Sequence, residues 1–306
     1  MESKYKIIEI ISNGAYATIY KIQIGKKYYA LRSQKIFKSE AIEYKKIFEN
    51  KNILDYTTMN TKLYRLICFN KFINTINKNH FAILYKYKIN KCNFTQPLTN
   101  FVKNNSYLFN RYNELQKSNF CLDIIMDLKD GPLRDIMSKL SKNQIYSLII
   151  QIIYTLYLMH INGFYHCDVH DENIMYTKTS LKTIKIFDLI IPTFGYIYSI
   201  IDYEEVASTK FKSSCQNEEI FLINHKYKDN MIFLCRCIFQ FGLADTVINN
   251  IPIIFVNKII NNEKISMDNQ KIFDYTPLNY EDTVNYIKYI NDEPKLIKYF
   301  YKKIKS

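Results

Sequence analysis

The residues best suited to chemistry in this chain lie in one short run, His166-Cys167-Asp168-Val169-His170-Asp171-Glu172-Asn173. It directly follows a long apolar segment and precedes the strand-like Ile174-Met175-Tyr176. Phosphoryl transfer needs a carboxylate to orient or deprotonate a hydroxyl, and a neutral oxygen ligand for a divalent metal nearby. Asp168 and Asn173, held on one tight loop, supply both. A loop of solvated polar residues would be the bland account, but this composition is unusual straight after an apolar helix.

The elements that must hold this loop can be read from hydrophobic period and turn residues. Asn143–Asn162 has the pattern of a long buried helix, and Asn230–Phe241 that of a second. The first third of the chain alternates instead. Tyr5–Ile11, Ala17–Ile24 and Lys27–Arg32 are β-branched or aromatic runs separated by Ser12-Asn13-Gly14 and by Gly25, which predicts an antiparallel meander. Ser39 is the expected N-cap of a helix running through Phe48. Phe81–Ile89 and Cys121–Met126 read as further strands, and the Asn-rich stretch from Asn90 to Asn119 between the two reads as a surface insertion. A β-rich front and a helical back, joined near Leu128–Pro132, make an α+β chain in two unequal parts.

Composition narrows the class. Of 306 residues, 48% are hydrophobic and 23% charged, as in soluble globular proteins. The net charge of +13 favours acidic partners. Its lysines are scattered, however, and the one dense run, Lys295 to Lys305, reads as a solvated terminal helix, so nucleic-acid binding is the weakest reading. The cysteines number seven, with Cys235-Arg236-Cys237 the one close pair and no pair of CxxC units. That supports neither a zinc site nor a disulfide framework, and points to reduced thiols in a cytoplasmic or nuclear compartment. Met1–Lys6 lacks a signal-peptide core, and Ile145–Met159 is short for a membrane span, so no membrane association is expected. The excess of Lys, Asn and Ile reads as AT-rich coding, natural to a parasite or a large DNA virus.

Taken in order, the motifs resemble those of the eukaryotic-type protein kinases. The catalytic-loop pattern His-Arg-Asp-x-x-x-x-Asn is matched from His166 to Asn173, with Cys167 in place of Arg. His170 two residues after the Asp resembles haspin and the haspin-like kinases of large DNA viruses. So does Ile191-Pro-Thr-Phe-Gly195 followed by Ser199-Ile-Ile-Asp202-Tyr203, where a hairpin leads into Asp-Tyr. The resemblance implies that Asp202 and Asn173 hold magnesium at the phosphates of ATP. Asp188, in Lys185-Ile-Phe-Asp-Leu, is the rival to Asp202. Ser12, Gly14 and Ala17 take the glycine positions of the phosphate-covering loop, of which only the central glycine survives. Ala30-Leu-Arg32 stands where the family has Ala-x-Lys, so the resemblance makes Arg32 the phosphate-facing cation, paired with Glu43; Lys35 is the alternative. Met126 takes the gatekeeper position, with backbone groups of Asp127 and Lys129 against adenine. Asp229 matches the helix Asp that braces the catalytic loop.

What this implies is a bilobal kinase fold, with a β-rich N-lobe over 1–127 carrying one helix and a larger, mainly helical C-lobe over 128–306. The implied activity is ATP- and magnesium-dependent transfer to Ser or Thr hydroxyls of a protein substrate, by a monomer in the cytoplasm or nucleus of a host cell or associated with a virion. Two readings compete. Arg32, Ala17 and Glu204 suit a pseudokinase that binds nucleotide without transfer. Aminoglycoside and choline kinases also place His two residues after the catalytic Asp, which leaves open a small-molecule phosphotransferase.

Overall fold

Alternating apolar residues build the first sheet. The computed structural model describes residues 5–14, 17–49, 62–76, 80–92, 97–98, 100–208, 229 and 292–305. Strands β1 (Lys6–Asn13), β2 (Ala17–Ile24) and β3 (Lys27–Ile36) form the expected antiparallel meander. Gly25, at φ +59°, makes the β2–β3 turn in a conformation that a Cβ would strain. Helix α1 (Lys38–Glu49) starts one residue before the expected cap. Ser39 falls within the first turn, and the helix is instead fixed by Glu40, whose Oε2 accepts from the Phe37 amide at 2.7 Å.

Helix α2 (Lys62–Ile73) and strand β4 (Leu84–Lys91) follow. The Asn-rich segment is more than a surface insertion. It contains α3 (Asn100–Lys103) and α4 (Ser106–Gln116), the latter capped by Asn105 Oδ1 accepting from the Leu108 amide, and it buries Val102, Tyr112 and Leu115. Leu108, Tyr112 and Leu115 recur at helical spacing, a period that the surrounding asparagines mask. Strand β5 (Phe120–Asp127) then inserts between β3 and β4, giving the order β1-β2-β3-β5-β4.

The expectation of reduced thiols fails for one pair of cysteines. Cys92, just after β4, is disulfide-bonded to Cys121 on β5, with Cα atoms 5.7 Å apart. Strand pairing aligns Asn90 with Cys121 and brings the Cys92 amide to Asn119 O, so residues 29 apart in sequence become neighbours. Spacing along the chain could not show this. Closing a loop of that length is worth about 3–4 kcal/mol in the chain-entropy account. Reduction is therefore expected to lower stability by up to about that amount. Thiol alkylation before and after reduction should release these two cysteines together, and a chain that labels at Cys92 without reductant would contradict the pairing.

The chain divides into two units, residues 1–130 and 131–306. In the second, β6 (Gly131–Pro132) and two short 3₁₀ turns precede α5 (Lys142–His160). A capping box starts α5: Ser141 Oγ accepts from the Gln144 amide and Gln144 Oε1 from the Ser141 amide. Within the buried face, Ser147, Gln151 and Thr155 form a polar stripe at i, i+4, i+8. Ser147 Oγ donates to Pro192 O at 2.7 Å, and Gln151 accepts from the Tyr198 amide at 3.0 Å. These bonds satisfy polar groups that would be costly to bury alone and fix the following strands along α5.

Those strands are β7 (Phe164–Tyr165), β8 (Ile174–Lys178), β9 (Thr183–Ile186), β10 (Leu189–Pro192), β11 (Tyr196–Ile200) and β12 (Ala207–Ser208). β11 pairs with β8, β10 with β9, and β12 with β7, all antiparallel. The basic tail forms the expected terminal helix, α6 (Glu293–Lys305), but only its lysine face is solvated, because the other face buries Leu296, Ile297 and Phe300. Phe300 packs on Tyr146 of α5, ring centroids 6.1 Å apart. The whole is α+β, with an antiparallel sheet in the first unit and helices around short strands in the second. The helix expected over Asn230–Phe241 and the pair Cys235/Cys237 lie outside the described residues. Among the described residues no helix is long and apolar enough to cross a membrane.

Candidate active site

The loop from His166 to Asn173 connects β7 to β8, and its conformation is held from three directions. From within, Asn173 Nδ2 donates to Asp168 O at 2.9 Å and to Asp168 Oδ2 at 3.0 Å. This joins the two predicted functional residues into one unit and turns the Asn173 carboxamide oxygen away from Asp168. The Asp168 amide donates to His166 Nδ1 at 3.3 Å, while His166 Nε2 donates to Ile201 O at 2.9 Å. One ring nitrogen accepts and the other donates, which selects the neutral Nε2–H tautomer of His166.

From below, Asp229 grips the backbone. Its Oδ2 accepts from the His166 amide at 2.6 Å and its Oδ1 from the Cys167 amide at 2.7 Å. Cys167 sits at φ +66°, a left-handed conformation that costs a non-glycine residue on the order of 1 kcal/mol. Two charge-assisted bonds at that point offset the strain. Behind Asp229 stands His160, the last residue of α5. Its Nε2 lies 3.3 Å from Asp229 Oδ2 and its Nδ1 2.8 Å from Glu293 Oε1 at the start of α6. All three side chains are almost completely buried.

From the side, the β8–β11 ladder brings in Asp202. Ile200 pairs with Ile174, and the Ile201 amide donates to Asn173 O at 2.9 Å, so Asp202 emerges beside Asn173. Asp202 is itself left-handed, at φ +63°, and its Oδ1 is withdrawn from solvent. Tyr203 follows, buried, with its hydroxyl on Ile200 O and its ring edge-on to His166 at 5.9 Å. Asp188 lies elsewhere. It occupies the second, exposed position of the β9–β10 turn, after Phe187, whose ring packs on Tyr154 and Tyr157 of α5.

The mouth of the loop is more open. Asp168 is about one-third exposed, and His170 Nε2 approaches its Oδ2 to 3.5 Å. The Glu172 amide donates to His170 Nδ1, so Nε2 carries a proton toward that carboxylate. Glu172 pairs with Arg134 at the surface.

The first unit carries the other predicted residues. Gly14 closes the β1–β2 turn by donating its amide to Ala17 O at 2.9 Å; Ser12 remains in the ladder opposite Ile19, and Ala17 opens β2. Side chains alternate across β3, so Ala30 and Arg32 face one side and Leu31, Ser33 and Lys35 the other. Arg32 lies opposite Ile19 and Ile124, and Ala30 opposite Met126, on one face of the sheet. Lys35 therefore does not replace Arg32. It is buried on the opposite face, where its Nζ donates to Gln116 O and Ser118 O and burial lowers its pKa. Glu43 is exposed on α1, and it is Glu40 that reaches an arginine, with Oε1 4.0 Å from Arg111. At Asp127 the amide is spent on Ile83 O, and the carboxylate accepts from the Tyr85 hydroxyl at 2.6 Å and pairs with Lys129 at 3.6 Å. Burial, followed by that bond, raises the pKa of Tyr85.

Pattern reading missed His160 and Glu293. A histidine at the end of an apolar helix and a glutamate before a lysine-rich tail carry no signal of each other across 133 positions.

No protein-family model matches the chain. Among curated proteins it is similar to calcium-dependent protein kinase 6 of Plasmodium berghei (strain Anka), 27% identical over 186 residues. The match takes in 54% of this chain and only 12% of that protein. It is a weak likeness to a protein kinase over part of the chain, and it suggests the protein kinase superfamily.

Proposed function

We propose that the chain is an ATP- and magnesium-dependent protein kinase with a bilobal kinase fold, transferring phosphate to Ser or Thr hydroxyls of a protein substrate. The observation that carries this reading is the joint between Asp168 and Asn173, braced on its backbone by Asp229 and flanked by Asp202. In this reading Asp168 orients the attacking hydroxyl and takes up its proton, with the Asn173 bonds holding its carboxylate in place and His170 close beside it. The same residues resemble the haspin-like group, through His170 and the hairpin that leads to Asp202.

The donor set fits magnesium. Asn173 and Asp202 offer hard oxygen ligands on adjacent strand ends, and a magnesium ion completed by phosphates and water needs only one or two protein donors. Accordingly, it is no obstacle that the described residues hold no group of three His, Cys, Asp or Glu side chains placed to ligate a metal ion. When bound, the ion would neutralise phosphate charge. Arg32 supplies the cation of the first unit and Gly14 the surviving glycine of the phosphate loop, with the Met126–Lys129 segment against the base.

The test is nucleotide titration of the purified protein with and without magnesium, together with phosphotransfer to a basic and to an acidic protein. Magnesium should tighten ATP binding, and Asp202→Asn should erase most of that gain. Arg32→Lys should transfer at least as fast as the natural chain, because lysine restores the family's compact ammonium. Arg32 also favours the rival pseudokinase reading. Bound ATP with no transfer by either protein would establish it, and no ATP binding at all would remove both.

A further inference from the structure

Glu293 is the first residue of α6, far from the loop in sequence, yet it belongs to a buried chain of contacts that reaches the loop backbone. The chain runs Glu293 Oε1 to His160 Nδ1, His160 Nε2 to Asp229 Oδ2, and Asp229 to the amides of His166 and Cys167. An ionised carboxylate can only accept. With an ionised carboxylate at each ring nitrogen, both nitrogens of His160 donate, which is the imidazolium form. A neutral ring would leave one of the two carboxylates facing a lone pair in a site closed to water, which is strongly unfavourable.

We propose that Glu293 is a positioning residue of the catalytic loop: by keeping His160 a donor at both nitrogens, the start of α6 holds Asp229 in the orientation that fixes the left-handed turn at Cys167 and so the position of Asp168. What the loop then does rests on the kinase reading, but the brace does not. α6 is thereby a structural part of the site and more than a solvated tail.

The electrostatics agree with the geometry. Burial drives the His160 pKa down, but the hydrogen bonds it donates to Asp229 and Glu293, and their charges, more than offset this and leave it raised above 6.5. Facing the ring are Glu293 from α6, Asp229, and from β7 Tyr165, stacked at 5.4 Å, whose own pKa is raised by burial and then by the charge of Asp229. The Cys167 thiol is directed to Tyr165 O. Because the folded pKa is raised, the stabilisation is complete below the unfolded value of 6.5 and is lost as pH rises through the folded value. Removing the charge of Glu293 lowers the folded value and moves that loss to lower pH.

The experiment is residue-resolved amide exchange of the full chain at His166 and Cys167, from about pH 6 to about pH 8, corrected for intrinsic exchange. The natural protein, Glu293→Gln and Leu296→Ala are compared. Glu293→Gln should match the natural protein at the acid end and lose protection as pH rises, by about tenfold per unit of lowered pKa. Leu296→Ala, which loosens α6 but keeps the carboxylate, should show no such pH trend. Equal protection in Glu293→Gln and the natural protein at every pH would overturn the proposal, as would a loss independent of pH. Should Glu293→Gln fail to fold, the natural chain still decides: the His160 ring, followed by NMR, should titrate above 6.5, and a ring that is neutral below that value overturns the proposal. A protein that shows the expected exchange but no phosphotransfer would retain the brace and lose the kinase reading.

Discussion

On the proposed kinase reading, Asp168→Asn is expected to slow phosphotransfer by about a thousandfold while leaving ATP affinity nearly unchanged. The carboxamide keeps the shape of the side chain and can still accept from Asn173 Nδ2, so the loop geometry survives. What it loses is the carboxylate charge and basicity that the proposed mechanism uses to orient the hydroxyl and take up its proton. Initial rates at saturating ATP and magnesium measure this, with Glu172→Gln as the control, since Glu172 only pairs with Arg134 at the surface and should stay close to the natural rate. An Asp168→Asn enzyme within about tenfold of the natural one would remove Asp168 from the base role.

Asp229→Ala is expected to destabilise the second unit strongly, by about 3–5 kcal/mol. Asp229 is about 1% exposed in its side chain and accepts from two backbone amides, with His160 behind it. Removing it strands the His166 and Cys167 amides and leaves the Cys167 conformation without its support. The His160–Glu293 pair loses its counterpart in the same step. The urea midpoint, at unchanged slope, reports the loss. A drop below about 1 kcal/mol would show that those amides find other partners.

Much of the local structure was open to pattern reading. The β1–β3 meander, β5 and the long α5 follow from hydrophobic period and turn residues, which act over a few positions and need no distant partner. The same holds for the Asp168–Asn173 joint, because a loop of that length can close on itself. Where local composition misled, a stronger local term was hidden. Asparagines masked the apolar spacing of α4, and the reach of Glu40 displaced Ser39 as the residue that fixes α1.

By itself, then, the sequence determined the class of elements, the order of its motifs and the loop that could carry chemistry. Only the tertiary structure decided which residues hold that loop and which cysteines meet. Asp202 rather than Asp188 lies beside Asn173 because of the β8–β11 register, which sends the β9–β10 turn elsewhere. Alternation across β3 turned Lys35 away from the face of Arg32. Cys92 met Cys121 through the pairing of β4 with β5, and Glu293 met His160 through the docking of α6 on α5. In each case the partners are separated by many residues, and no period along the chain encodes their approach. It is set by burial: apolar faces chose which elements pack, and the polar groups carried inside then had to find one another.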